Sequence, residues 1–345
     1  MSDKAEKKAR NEKEGLFNFG KEMISALVTA FIFIVYVIQA FTIPTGSMER
    51  SLLVGDFLLG LKFIYGAPVF PDIPFVWENH LKFPGIRDPQ RGDVVIFRFP
   101  GGEKKDYIKR CVAVAGDYVE IDGKRLIVNG REMTPPPEAR WELGGNLRPE
   151  IRNFERLYIP RRGDTLDIAN APIREFIFFK HLVHQENPRA RVRAEFRLIA
   201  DGVDFSDSML TLESDGQFMG GRFSDLDFAR LAVISDWTLY NHYFGLFKNS
   251  RRFDPESEVK IEKTLLLNGN PIETYICRFD NYFMLGDNRD NSSDSRYWGF
   301  VNRNFVKAKA FITYFSLKPE VPLHFLPAKI RWNRLGKLIR NYNGE

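Results

Sequence analysis

Between Met23 and Ile43 the chain carries no charged residue. As a helix, 21 residues rise roughly 30 Å at about 1.5 Å each, which matches a bilayer's hydrocarbon core. Lys4, Lys7, Lys8, Arg10, Lys13 and Lys21 precede the run. Basic residues stay on the cytoplasmic side, so the N-terminus is expected inside and everything after Pro44 outside. A cleaved signal peptide would have a shorter apolar core, about 7–15 residues, ending in small residues. This run ends in Val-Ile-Gln-Ala-Phe-Thr-Ile, so a retained anchor over 23–43 is expected. The stretch Ala171–Leu182 is broken by Pro172, Arg174, Glu175, Lys180 and His181 and reads as no second span.

The rest of the chain is therefore expected as one exported body on a single anchor. The hydrophobic fraction of 44% supports a core. A net charge of +5 over 345 residues, with no basic stripe interleaved with aromatics, argues against nucleic acid. The 31 phenylalanines suit a β-rich protein working near lipid. Cys111 and Cys277 have no metal-ligand spacing, and they leave a disulfide and two buried thiols equally open.

Short apolar runs punctuated by Gly, Pro and Asp predict strands over Phe57–Ile64, Asp93–Phe99, Tyr107–Ala115, Tyr118–Ile121 and Ala308–Leu317. Asn129-Gly130 and Asn268-Gly269 each follow an apolar run and predict two hairpins. They bracket residues 131–260, which are expected as an insertion into one β-domain formed by 44–130 and 261–318. Segment 1–22 is a cytoplasmic tail in this reading. Segment 319–345 is a basic tail whose Lys329–Arg340 stretch reads equally as a short helix on an anionic membrane surface or as a solvated end. Asp88-Pro89-Gln90-Arg91-Gly92-Asp93 is echoed by Tyr158-Ile159-Pro160-Arg161-Arg162-Gly163-Asp164. A Pro-x-Arg-Gly-Asp turn leading into a strand would explain both.

Three segments carry chemistry. In Ile43-Pro44-Thr45-Gly46-Ser47-Met48 a rigid turn presents Ser47 just past the anchor. A serine nucleophile needs a base. The histidines, His80, His181, His184, His242 and His324, form no compact motif. Lys109 lies in an apolar strand, on one face with Tyr107 and Cys111. Desolvation there would lower its pKa and let the neutral amine take the serine proton. The polar loop Gly286–Arg296 has the acidic density of a calcium loop, but Ser292 and Trp298 stand where an EF-hand loop from Asp287 needs Gly and Glu. It reads better as a hydrogen-bonded brace for the lysine, with Ser292 orienting the amine and Asp294 with Arg296 locking the loop.

PTGSM with LLVGD, RGDVVIF with YIKRCVAVAGD, and YFMLGDNRDNSSDSRYWGFV together resemble the signature boxes of bacterial type I signal peptidases. The resemblance covers the anchor, about residues 41–130 and about 261–318. It implies a mainly antiparallel β fold, a partly open barrel with a large insertion, and a membrane-bound serine endopeptidase that removes signal peptides and needs no metal or organic cofactor. Position by position it implies Ser47 as nucleophile, Lys109 as general base and Ser292 as hydrogen-bond partner of the lysine. It implies Thr45 as an oxyanion-hole hydroxyl beside the Ser47 N–H, and Asp294 and Arg296 as a supporting ion pair. Phe41, Ile43, Leu52, Tyr107 and Ile108 would line shallow pockets for the small residues before the cleavage site. The implied partners are preprotein signal peptides, the lipid bilayer and the secretion translocon. Glu49-Arg50-Ser51 departs from the family, which has proline where Arg50 stands. Two other classes keep the same residues: a repressor-type Ser–Lys autoprotease and an inactive membrane-anchored binding protein. The resemblance does not cover most of residues 131–260. They are expected to contact substrate or partners, so that replacing about 135–255 by a linker leaves the dyad assembled.

Overall fold

The computed structural model describes residues 2–69, 82–100, 105–141, 149–214, 216–226 and 237–342. Helix α1 (Ser2–Ile32) is followed by a π-helical turn, Phe33–Val37. Its apolar part, Phe17–Val37, is 21 residues long with a mean hydropathy of 1.7. Phe17, Ile24, Leu27 and Ile34 are all exposed, a surface that only lipid would solvate. The anchor thus ends earlier than Ile43. Ile38–Thr42 forms strand β1, because pairing with the next strand satisfies its backbone. Lys62 Nζ donates to the carbonyls of Val35 (3.0 Å) and Ile34 (3.3 Å), two of the acceptors a helix leaves open at its C-terminal end. The side chains of Lys4, Lys7, Lys8, Arg10 and Lys13 lie outside the described residues, as does His80.

Beyond α1 one eight-stranded sheet organises the body that carries Lys109. Its strands are β1, β2 (Asp56–Leu61), β3 (Val94–Arg98), β4 (Asp106–Ala113), β5 (Asn281–Leu285), β6 (Val301–Asn302), β7 (Val306–Ser316) and β8 (Lys337–Leu338). They run in the order β1-β2-β7-β3-β4-β5-β6, with β8 on β7, and every pairing is antiparallel. Register shifts in β7 and at Phe283/Met284 curl the sheet into an open half-barrel.

The echo between residues 88–93 and 158–164 is structural. In both turns the glycine has positive φ, 87° at Gly92 and 91° at Gly163. The aspartate side chain accepts the N–H three residues back, at 3.0 Å for Gln90→Asp93 and 2.8 Å for Arg161→Asp164. Each glycine N–H donates to a cysteine carbonyl, of Cys111 or Cys277, and that cysteine's N–H returns to the aspartate carbonyl. Each aspartate also accepts a tyrosine hydroxyl at 2.8 Å, from Tyr65 and Tyr158. Leu53-Val54-Gly55-Asp56 and Val114-Ala115-Gly116-Asp117 repeat the backbone pattern and the aspartate cap. Four strands therefore begin from the same elbow, whose glycine supplies a φ closed to other residues. Both cysteines are buried and free.

A second body packs on one end of the sheet. Val192–Ala200 pairs with Val259–Leu267 along nine residues, and Tyr118–Asp122 centres a four-stranded sheet. Helices α2 (Ile173–Glu186) and α3 (Trp237–Lys248) cover them. Phe154, Phe176, Phe178, Phe196, Phe223 and Phe244 share its core. Both Asn-Gly pairs form hairpin turns with positive φ at the two central residues: 53° and 77°, then 54° and 86°. Both hairpins lie inside this second body. Its strands start at Tyr118 and end at Ile276, wider than 131–260, because long-range pairing sets the limits.

The C-terminal segment is strapped onto the sheet and forms only short helical turns, among them Leu326–Lys329 and Trp332–Arg334. Arg334 is buried against Asp56, Arg331 Nη1 donates to the Val54 carbonyl at 2.8 Å, and β8 extends the sheet.

Candidate active site

Ser47 sits in a single 3-10 turn, Gly46–Met48. Met48, 1% exposed, plugs this turn into a cluster with Ile43, Leu52, Leu58, Ile96 and Ile108. The loop after β5 holds the turn from the other side. Asn288 N–H donates to the Ser47 carbonyl at 3.1 Å, and Asn288 Nδ2 to that of Gly46 at 3.1 Å. Gly286 must be glycine here. A Cβ would lie 2.5 Å from the Ser47 carbonyl oxygen and 2.2 Å from Ser292 Oγ.

Lys109, 4% exposed on β4, donates from Nζ to Ser47 Oγ at 2.7 Å and to the Ile108 carbonyl at 3.1 Å. Tyr107, on the same face, places its ring centre 5.3 Å from Nζ. Burial lowers the Lys109 pKa from 10.5 to about 8, against the opposing pull of Asp294 and Asp287. The carboxylates are held back from the amine by their own cations. Asp287 takes Arg110 in a fork, Nε to Oδ1 at 2.8 Å and Nη2 to Oδ2 at 2.7 Å. Asp294 takes Arg296 likewise at 2.8 and 2.9 Å, and also accepts the Gly286 N–H. An amine left without a direct carboxylate partner stays depressed.

Ser292 is buried beside Gly286, but its Oγ has no hydrogen-bond partner, so the expected bond to Lys109 is not made. The lysine instead turns to the Ile108 carbonyl on its own strand. Thr45 is exposed and extended, with φ −129° and ψ 154°, and its side chain makes no cap bond. Among the expected pocket residues, Phe41, Ile43, Leu52 and Ile108 meet in one cluster, with Leu52 fully buried. Tyr107 lies in another, stacked on Phe99 at 4.6 Å. Leu52 thus lies wholly inside the first cluster. Arg50 has φ 76°, which a proline ring cannot adopt. Proline therefore does not fit the backbone at this position.

Gly286, Asn288, Arg110, Asp287 and Arg140 also build the site. Arg140 N–H donates to the Asp287 carbonyl at 2.8 Å, and Arg289 N–H to the Arg140 carbonyl at 2.9 Å. A glycine and an asparagine flanking Asp287 are visible signals in the loop. Nothing in the local sequence points to Arg140. His181 Nδ1 lies 3.1 Å from the Trp298 carbonyl oxygen and burial drops its pKa to about 3, so it is a neutral structural group.

The family model described as signal peptidase, peptidase S26, matches residues 16–156 and 248–315. The signal peptidase I of Helicobacter pylori is 26% identical over 341 residues, spanning 94% of this chain and 93% of its own. That of Aquifex aeolicus is 27% identical over 304 residues, spanning 85% and 82%. That of Buchnera aphidicola subsp. Schizaphis graminum is 28% identical over 325 residues, spanning 91% and 80%. A crystal structure of a signal peptidase I from Enterococcus faecalis V583 aligns with 65% of this chain and 97% of its own, at 15% identity and a TM-score of 0.22.

Proposed function

The chain belongs to the signal peptidase family, peptidase S26, and from that premise we propose that Ser47 is its nucleophile and Lys109 its general base. The protein is a serine endopeptidase that removes signal peptides, anchored to a membrane by one apolar helix. The observation that carries the residue assignment is the 2.7 Å contact between Lys109 Nζ and Ser47 Oγ, made by a lysine whose pKa is depressed to about 8. Neutral Lys109 takes the Ser47 proton as Oγ attacks the scissile carbonyl. The resulting ammonium returns that proton to the leaving amine. Water then attacks the acyl carbonyl as Lys109 takes its proton, and Lys109 passes that proton to Ser47 Oγ as the acyl group leaves, restoring the serine and the neutral amine. The Thr45 hydroxyl and Ser47 N–H stabilise the oxyanion. The Asp294–Arg296 pair fixes the loop through Gly286 N–H, and Ser292 fills the space behind the dyad. Phe41, Ile43, Ile108 and Tyr107 shape the cleft for small side chains.

The N-terminus faces the cytoplasm and the catalytic body the outer side. The catalytic turn follows the anchor after only β1, so a signal peptide leaving the bilayer, or handed over by the translocon, meets Ser47 near the membrane surface. Ser47→Ala should abolish preprotein processing without loss of folding, because a small half-exposed hydroxyl contributes little stability. Wild-type processing by Ser47→Ala removes the assignment.

A further inference from the structure

Two strand edges flank the dyad and stand open. β1 pairs with β2 alone, and β5 reaches only as far along β4 as Arg110, which leaves Asp106–Ile108 an unpaired edge among the described residues. Both edges lead to the dyad. The chain runs on from β1 through Ile43 to Ser47, and on β4 Lys109 comes next after Ile108. Phe41 and Ile108, one from each strand, share an apolar cluster. A cavity of about 480 Å³ opens at the other end of this slot, within the size range of ligand sites. Ile38, Gln39 and Ala40 line it from the start of β1, and Ile34 and Val35 from the last turn of the Phe17–Val37 span. Arg98 and Lys307 line it beside the start of β4, where Arg98 is in register with Asp106 and Lys307 pairs with that carboxylate at 2.8 Å. The lysines of the lining are already engaged: Lys62 donates to the Ile34 and Val35 carbonyls, Lys82 to that of Val306 and Lys307 to Asp106. Their stems, with Ile34, Val35, Ile38 and Leu59, are what they offer to an occupant.

We propose that this cavity receives the outer end of a signal peptide's apolar core, and that β1 sets the spacing between that core and the cleavage site. The proposal rests on Ser47 as nucleophile and deepens that reading. A peptide leaving the bilayer alongside the anchor meets the cavity first, and extended in the slot it runs parallel to β1. Ala40 precedes Ser47 by seven residues and Ile38 by nine. At about 3.3 Å per extended residue, the peptide passes them roughly six to nine residues before its scissile bond. Upstream of that point an apolar core of about 7–15 residues continues into the bilayer beside α1. Ile34, Ile38 and Leu59 cover the end of such a core, whereas a polar segment at the same place would leave them bare. Substrate is thus selected by a residue count as well as by the small side chains at the cut.

The test uses the full-length protein in detergent and a preprotein with a photoreactive benzophenone side chain in its signal peptide. Placed about eight residues before the cleavage site, the probe should crosslink to residues 34–40 or to Leu59; placed after the site, it should not. Crosslinking of the first probe elsewhere overturns the proposal. Ala40→Glu, a change at an exposed edge position, should raise KM for the preprotein about tenfold, the loss of roughly one buried apolar side chain. The same variant should cleave a short peptide without the apolar core nearly as wild type does. Equal effects on the two substrates, or none on either, overturn the proposal too. If Ala40→Glu does not fold, spacer variants of the preprotein cut by wild type decide. Lengthening the spacer by about four residues should lower kcat/KM at the original site about tenfold or more, and indifference to length overturns the proposal. Ser47→Ala should crosslink like wild type and leave the preprotein uncut. Processing by Ser47→Ala fails the nucleophile assignment, and a missing crosslink fails this one.

Discussion

Lys109 gives the sharpest prediction because one number sets both rate and stability. Burial lowers its pKa from 10.5 to about 8. At about pH 7 roughly one molecule in ten then holds the neutral amine. Below that pH kcat/KM should fall about tenfold per unit, and above about pH 9 it should level off. Stability moves by the same linkage. Above the unfolded lysine pKa neither state binds the proton, and the group contributes nothing. As pH falls from there towards 8, the unfolded chain takes the proton first, so the folded state loses stability. Below about 8 the loss is complete, at ~3 kcal/mol for a shift of this size at a site 4% exposed. Lys109→Met should be inactive, folded and free of this pH-dependent loss. Lys109→Arg should be inactive because the guanidinium does not deprotonate. The assay is peptide cleavage across about pH 6–10 with denaturant midpoints at the same values. An active arginine variant, or an inflection at the histidine value of about 6.5, would refute the reasoning.

Thr45→Val should lower kcat by about 10²–10³-fold with little change in KM, and Thr45→Ser should stay active; equal activity of the two variants would leave Thr45 a structural residue. Arg334→Leu leaves Asp56 buried without its cation and should cost about 3 kcal/mol by chemical denaturation. A loss below about 1 kcal/mol would show that the C-terminal strap is not part of the fold.

Local chemistry is legible in the sequence where it is self-contained. The Asn-Gly hairpins need positive φ at both central residues, and the residue types state that outright. The Pro-x-Arg-Gly-Asp echo is visible because arginine and proline accompany it. The same elbow at Gly55-Asp56 and Gly116-Asp117 lacks both, so the sequence shows only half of the pattern. The end of the anchor is not legible. Ile38–Thr42 is as free of charge as the run from Met23 before it, and what turns it into a strand is a partner, Phe57–Leu61, that no window of the anchor contains. Lys109 is readable as a buried strand lysine. The bond from Ser292 is not, since it depends on which acceptor the amine can reach.

Replacing 135–255 by a linker, expected from the sequence to leave the dyad assembled, is instead predicted from the structure to disturb it, and acylation of the deletion variant by a serine-reactive inhibitor checks this. The RYWGF stretch looks self-sufficient in sequence, yet the second body supplies its hydrogen bonds. Trp237 Nε1 donates to the Arg296 carbonyl at 2.9 Å. His181 reaches the Trp298 carbonyl and Gln185 Nε2 that of Phe300. Gln185 Oε1 and Glu186 accept from Asn302. Arg140 brackets Asp287 and Arg289 through its backbone. A linker would leave these groups to water and remove the contacts that order the stretch. The loop that carries Gly286 and Asn288 onto the Ser47 turn would lose its shape first. The dyad is therefore a product of both bodies: β4 brings the lysine, the turn after the anchor brings the serine, and residues outside the motifs keep them 2.7 Å apart.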